Sequence, residues 1–530
     1  MAQMKTPGVY IKELNAFPNS VVEVSTAVPA FIGYTERAEN AGKPLDGMPV
    51  RITSLAEFNQ YFGGPAPSTF TLAEATAPAE GDEGKSASAP DIKVADKTDG
   101  QKGVFKGYDI NEVGPNFRLY NSIRLFYQNG GGPCYIVSIG NYSAKSIDPG
   151  VLTDGLNPLV KEMEPTMLII PELTSLESAD DAFPVQQAML GQCQKMQSRI
   201  SILDVFDGFK ERDPDPKVDV INVFRNTVGT NALMYGAAYY PWLHTTIVQD
   251  SELGLHNLDD DGLAKLKDLL TIEQTSGLSD EDKGKQAVVD MLSLFDLVMT
   301  RGADGDGNEV LAVQDIHNML ITLSPAYNSI ITDIKNRLNL LPPSSAMAGI
   351  MTMVDATRGV WKAPANVSVN SVIAPTVNIS HDEQQDLNVT LQGKSINAIR
   401  SFIGEGVLVW GARTLDGNSQ DWRYINVRRT MIMLEQSIKA AAKAFVFEPN
   451  VAGTWITIKG MIENFLYQQW KNGALAGSQA ADAYSVSVGL GSTMTANDIL
   501  DGIMRITVLV AISRPAEFIE ITFQQQMQKS

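Results

Sequence analysis

Two short stretches carry the residue types that hold phosphate, and one carries those that hold calcium. GDEGKS at 81–86 ends like a phosphate-binding loop, whose glycines let backbone N–H groups close on a phosphate while lysine supplies charge. The glycine that opens such a loop would stand at Ala79, and no strand-like run precedes it. GKS at 393–395 fails the same test at Asn388. DGDGNE at 304–309 sets Asp304, Asp306 and Asn308 at calcium-loop spacing, but Glu309 stands where that loop needs glycine for its sharp turn. The four histidines, His244, His256, His317 and His381, form no ligand pair at helical spacing. His381-Asp382-Glu383 has acid–base residue types, yet no serine or cysteine nucleophile motif accompanies it. Cys134 and Cys193 lack paired zinc spacing and read as buried small apolar residues. No catalytic, cofactor-binding or metal-ligating residue is expected.

The elements that would have to position any such group are those of a long globular chain. Its 530 residues and 44% hydrophobic content suffice for several domains. No run of about 18 apolar residues could cross a bilayer, and the first residues lack a signal segment, so synthesis in the cytoplasm without membrane insertion is expected. A net charge of -19 argues against general nucleic-acid binding, which rewards clustered Lys and Arg. The charge is uneven: residues 250–309 hold fifteen acidic and five basic residues, whereas 392–446 hold eight basic and four acidic. Two faces with different neighbours are implied.

Alternating residues predict a short strand at the start, with Val9 and Ile11 on one side and Tyr10 and Lys12 on the other. A turn-prone patch containing Asn15 and Pro18 separates it from an apolar run at 21–34. The end mirrors the start: after Ser513, Arg514 and Pro515, the residues Ile519, Ile521 and Phe523 alternate with Phe518, Glu520 and Thr522. Both ends thus read as strands on tethers, which either pair within their own subunit or add to a neighbour's sheet edge.

Between them, 66–103 is poor in large apolar residues and reads as a flexible surface insertion. A helix at 117–128 and a strand at 135–139 follow. Strands at 167–170, 200–205 and 233–240 then alternate with helices at 185–196 and 220–228, which points to an α/β domain. The acidic stretch 250–309 reads as an outward-facing insertion containing helices. Strands at 396–402 and 407–412 lead into helices at 427–445 and 454–470. On the first of these, Met431, Leu434, Ile438, Ala441 and Phe445 follow the spacing of a buried stripe. Arg428, Arg429, Glu435, Lys439 and Lys443 project onto another face.

SINAIRSFIGEGVLVWGARTL, DWRYINVRR, FVFEPN and SRPAEFIEITFQQ, in that order, resemble the contractile tail sheath family of phages and related injection systems. TPGVYIKE, VPAFIGYTE and ITSLAEFNQYFGG resemble its amino terminus, and NGGGPCYIVSIG its next stretch. The resemblance covers the first 65 residues or so, 117–140 and 386–525. AAKAFVFEPN lacks the tryptophan often found just before VFEPN, and the two insertions have no assignable counterpart.

The resemblance implies a non-enzymatic, multi-domain α/β subunit without cofactors. Its segments would be an exchanged N-terminal arm and linker (1–22), the first part of the body (23–65) and a surface insertion (66–116). An outer or middle α/β domain (117–380) would carry the acidic insertion 248–310. A conserved inner domain (381–511) and an exchanged C-terminal arm (512–530) would complete the chain. Copies would stack as hexameric rings around an inner tube, between baseplate and terminal cap proteins, and contract. Val9, Tyr10, Ile11, Lys12, Phe518, Ile519, Glu520, Ile521 and Phe523 would be the exchanged strands, received by a neighbour's sheet at Ile396, Ile399, Val407 and Val409. Asn15, Pro18, Ser513 and Pro515 would lie in the hinges. The inner domain facing the tube makes Arg428, Arg429, Lys439 and Lys443 tube contacts. The alternative for that face is a solvated one with a Glu435–Lys439 pair worth about 0.3–0.5 kcal/mol. A non-contractile shell or surface-binding protein, and a hydrolase built on an acidic cluster, are the competing functions.

Overall fold

The computed structural model describes residues 21–75, 90–95, 105–276, 278–303 and 311–521. The N-terminal strand, Asn15, Pro18 and Phe523 lie outside these residues, as do the 81–86 and 304–309 motifs.

The body is a nine-stranded sheet. Six strands run parallel at its centre: Pro29–Thr35, Cys134–Asn141, Met167–Ile169, Ile200–Asp204, Gly236–Tyr240 and Asn397–Phe402. Counted along the chain, their spatial order is 2-1-3-4-5-6. That order reverses direction between Pro29–Thr35 and Met167–Ile169. Antiparallel strands close both sides, Pro49–Ile52 on one and Gly406–Val409 with Val367–Ser368 on the other. Runs such as PAFIGYT and ISILD are buried throughout and mostly apolar because helices cover a parallel sheet. The α/β expectation holds, and the strands at 396–402 and 407–412 appear with slightly different ends.

Helix Ala179–Met196 begins ahead of the expected 185. Ser178 caps it by accepting from the Asp181 N–H at 3.3 Å, and Asp180 and Asp181 stand in its first turn, so Pro184 does not set its start. Helices Leu119–Gln128 and Ser344–Arg358 cross closely because Gly349 has no side chain. A Cβ there would lie 2.5 Å from the Phe126 carbonyl.

The two insertions are one module, which corrects the reading of 66–103 as merely a flexible tract. Strands Thr69–Glu74, Phe105–Val113 and Ile92–Ala95 form an antiparallel sheet. Helices Asp260–Thr275, Gln286–Thr300, Val313–Leu323 and Pro325–Leu338 share a core with it. Phe70, Leu72, Tyr108 and Ile110 meet Leu263, Leu266, Leu270 and Ile330 there. The acidic stretch therefore presents charge outward while its leucines bury against strands more than a hundred residues away in sequence.

A third core lies near the C terminus. Helices Ile425–Ala442 and Ala452–Lys471 pack against a hairpin, Tyr484–Val488 with Ile506–Val510. Met433, Leu434, Ile458, Ile462, Leu466 and Val486 fill it, with Val21, Val24 and Ile512 packed alongside. The segments leading to both chain ends thus meet on one small domain. The expected boundary at 381 falls inside the body, since residues 397–409 complete the large sheet.

Candidate assembly interface

In open α/β sheets, ligands bind outside the carboxyl ends of the strands where the order reverses. Here that place is closed by side chains. Glu172 follows the Met167–Ile169 strand and lies against Gly33, where a Cβ would come within 2.4 Å of the carboxylate. Its Oε1 accepts from the Leu119 N–H at 3.0 Å, and Asp204 accepts from the Ser344 N–H at 2.8 Å. The two carboxylates thereby cap helices Leu119–Gln128 and Ser344–Arg358, meeting the positive ends of their dipoles. Both are buried, and burial pushes each up to about 7. Half-buried Arg118 lies beside them, donating to Ser175 Oγ at 2.7 Å and to the Leu340 carbonyl at 2.9 Å. These groups brace helices; they line no open crevice.

The remaining chemistry-bearing residues are likewise structural. Lys394 of the second GKS is buried and donates to the Arg225 carbonyl. His317 bonds Tyr327 Oη at 2.9 Å, and burial lowers its pKa. Ser380 and Glu383 form a capping box that opens the helix beginning at His381. Among the described residues no group of three or more His, Cys, Asp or Glu could hold a metal ion, and no helix is long and apolar enough to cross a membrane.

The hairpin offers a different kind of site. Within the described residues each of its strands pairs only with the other along its length. The Ala511 N–H to Ala483 carbonyl bond at 2.8 Å fixes the alternation, so the N–H groups of Ile506, Val508 and Val510 point to the outer edge. Leu509 is exposed beside it. A short apolar tail completes the pattern: Phe518, Ile519 and Ile521 are 74%, 80% and 70% exposed and belong to no strand.

Ile396, Ile399, Val407 and Val409, expected to receive a neighbour's strand, are buried in the body instead. The Asn397–Phe402 strand is paired on one side by Gly236–Tyr240 and on the other by Gly406–Val409, whose far edge is taken by Val367–Ser368. The sheet ends on that side in the two-residue Val367–Ser368, whereas both hairpin strands leave a five-residue edge unpaired among the described residues. The hairpin's alternating YSVSV and ITVLV runs were the available signal.

Arg428 and Arg429 also depart from expectation. The first half of their helix is buried on all sides. Arg428 pairs with Glu435 at 3.0 Å and lies over the Trp422 ring. Arg429 grips Asp355 at 2.6 and 2.9 Å and donates to the Thr26 carbonyl at 3.1 Å. Both guanidinium groups are buried and engaged within the subunit, whereas Lys439 and Lys443, a few turns on, are exposed. They border a groove of about 850 Å³ floored by Ile432, Met433 and Ala440 and walled by residues 23–26.

Ser513 is pinned, not hinged: its N–H donates to the Ala474 carbonyl at 3.0 Å and its hydroxyl to the Gly473 carbonyl at 2.8 Å. Pro515 lies between this anchor and a second at Glu517. That carboxylate receives Arg413 Nη2 at 2.7 Å and Nε at 3.0 Å, Asn388 Nδ2 at 2.7 Å and Tyr424 Oη at 3.0 Å. Burial by itself would raise Glu517, but these hydrogen bonds and the Arg413 charge hold it below the usual carboxylate range. Glu517 was not anticipated from the sequence.

Residues 418–526 match the family model for the phage tail sheath C-terminal domain. A tail sheath protein of Burkholderia phage BcepMu is 30% identical over 150 residues, 27% of this chain and 31% of that protein. A tail sheath protein of Salmonella phage ViI is 27% identical over 143 residues, covering 22% of its length. The sequence alignments therefore span a third or less of these relatives. Structural similarity extends much further. The helical sheath of the anti-feeding prophage in its contracted state matches with a TM-score of 0.59 and 26% identity, over 99% of this chain and 100% of that one. The PVC sheath of an extracellular contractile injection system, also contracted, matches with a TM-score of 0.57 and 25% identity over 99% of each.

Proposed function

We propose, from the premise that this chain belongs to the contractile tail sheath family, that it is the structural subunit of a contractile sheath. The observation that carries the reading is the full-length match to contracted sheath subunits, in a fold that fills its own ligand crevice and keeps a hairpin edge open. Copies stack as hexameric rings around an inner tube, between a baseplate and a terminal cap. No chemistry is required of the subunit. Energy is stored in a metastable extended lattice and released as the bodies rotate into a shorter form that buries more surface.

Strand exchange supplies the continuity that such rotation needs. The tail beginning at Phe518 adds to the hairpin of a neighbouring subunit, where outward N–H groups and the exposed Leu509 await a partner. The N-terminal strand around Val9–Lys12 is proposed for the same sheet. Lys439 and Lys443 face the tube and meet acidic groups on it. Assembly takes place in the bacterial cytoplasm, in a phage tail or a phage tail-like particle.

Electron microscopy of the protein expressed alone tests the reading. Hollow striated tubes of uniform width are expected, and they should vanish when the residues before Val21 are deleted. Only monomers or closed shells across a range of salt would favour a non-contractile shell.

A further inference from the structure

Both segments that lead to the chain ends pass a buried arginine paired with a carboxylate. On the N-terminal side, Arg429 and Asp355 hold Thr26 from two directions, because Thr26 Oγ1 also donates to Asp355 at 2.6 Å. The C-terminal side is more demanding. Arg413 is nearly inaccessible, and its side chain engages Glu517 through two nitrogens while Nη1 donates to the Asn388 carbonyl at 3.1 Å. The groups that meet Glu517 come from three places: the loop after the large sheet, the end of helix His381–Asn388, and the residue before helix Ile425–Ala442.

A glutamate near a chain end ordinarily makes a solvated pair that fixes little. This one is half-buried, bidentate and hydrogen-bonded by two further donors, so releasing it would strand a buried guanidinium. Immediately beyond it the apolar side chains turn to solvent: Phe518, Ile519 and Ile521 are all exposed. The change from held to free falls between one residue and the next.

We propose that Arg413 and Glu517 are positioning residues for assembly. They fix the point and direction at which the C-terminal arm leaves the subunit, so that only residues from Phe518 onward pass to a neighbour. What the arm meets rests on the sheath reading above; the grip itself does not. A fixed exit raises the effective concentration of the short strand at the neighbouring edge, and a loose tether dilutes it. It also gives the subunit a point at which load passes from arm to body when the lattice moves.

The test begins with the full-length unassembled subunit. Cys134 and Cys193 are buried, so a nitroxide on Phe518→Cys is the reporting label. Glu517→Ala is expected to shorten the label's rotational correlation time by about two-fold or more and to lower the melting temperature of the body, since it strands Arg413, with Glu517→Gln intermediate in both. An unchanged correlation time overturns the grip. Tubes are then compared: Glu517→Ala with its arm intact should lose about ten-fold or more of its sedimentable polymer. Polymer at the wild-type level overturns the assembly role. Wild-type protein that forms no tubes, while the label still reports the grip, counts against the sheath reading and leaves the positioning of the arm standing.

Discussion

The large sheet and the small hairpin differ at their edges. In the sheet the outermost strands are the two-residue Val367–Ser368 and the proline-led Pro49–Ile52, both poor templates for another chain. The hairpin exposes two five-residue strands with nothing beyond them among the described residues. One structure finishes its hydrogen bonding inside the subunit. The other leaves its outer edges unpaired among the described residues, and the occupant proposed for them is the apolar tail from Phe518 of a neighbour.

The strongest way to break this comparison is to close the hairpin edge. Val508→Pro removes an outward N–H without touching the bonds inside the hairpin, so tube formation should be abolished while thermal unfolding of the body stays unchanged. Normal tubes would move the acceptor elsewhere. Next in size is Asp355→Ala, which leaves Arg429 buried without its carboxylate and should cost about 3–5 kcal/mol in urea unfolding. A loss within a few tenths would mean that Arg429 finds solvent, as a tube-facing residue does. Ile399→Ala sharpens the contrast from the other side. It should destabilise the body by about 2–5 kcal/mol, because Ile399 is core. Impaired assembly with unchanged stability would restore it to an acceptor role.

A further comparison concerns pH. Glu172 and Asp204 titrate near 7 when folded but near 4 when unfolded, so between those values the folded chain holds protons the unfolded chain has lost. Stability therefore falls as pH rises through that window, by up to about 1.4 kcal/mol per pH unit for each group. Asp386 and Glu517, held low by arginines, act oppositely, and their stabilisation is lost only as pH falls through their lowered values. The urea midpoint should be higher at about pH 5.5 than at about pH 8, and Glu172→Gln should flatten the difference. Equal slopes for wild type and variant would remove Glu172 as the cause.

The sequence made the α/β body legible because mostly apolar strands alternate with helix-length segments over 117–240. It also exposed the tail, whose alternation needs a face to lie on. Period-two alternation says nothing of whether a strand's edges are occupied, however. The family resemblance, not the alternation, made 396–402 and 407–412 the expected acceptor, and which edges are occupied is visible only in the fold. Helical projection likewise places Arg428 and Arg429 on a polar face, but a helix covered on all sides has none in its first half. The outer module was missed because Phe70, Leu72 and Tyr108 are too widely spaced to look like a core until distant leucines supply the other side. Glu517 lies in an ordinary run of the tail, and only the fold brings Arg413, Asn388 and Tyr424 to it.

In the proposed assembly the tail from Phe518 meets the hairpin of another copy and not its own. Bismaleimide cross-linking of mixed subunits bearing either Leu509→Cys or Ile519→Cys tests it directly, since both native cysteines are buried. The account predicts heterodimers in the mixture under assembly conditions and little cross-linking of either variant alone. A subunit carrying both substitutions that closes within one chain, with no heterodimer in the mixture, would contradict it.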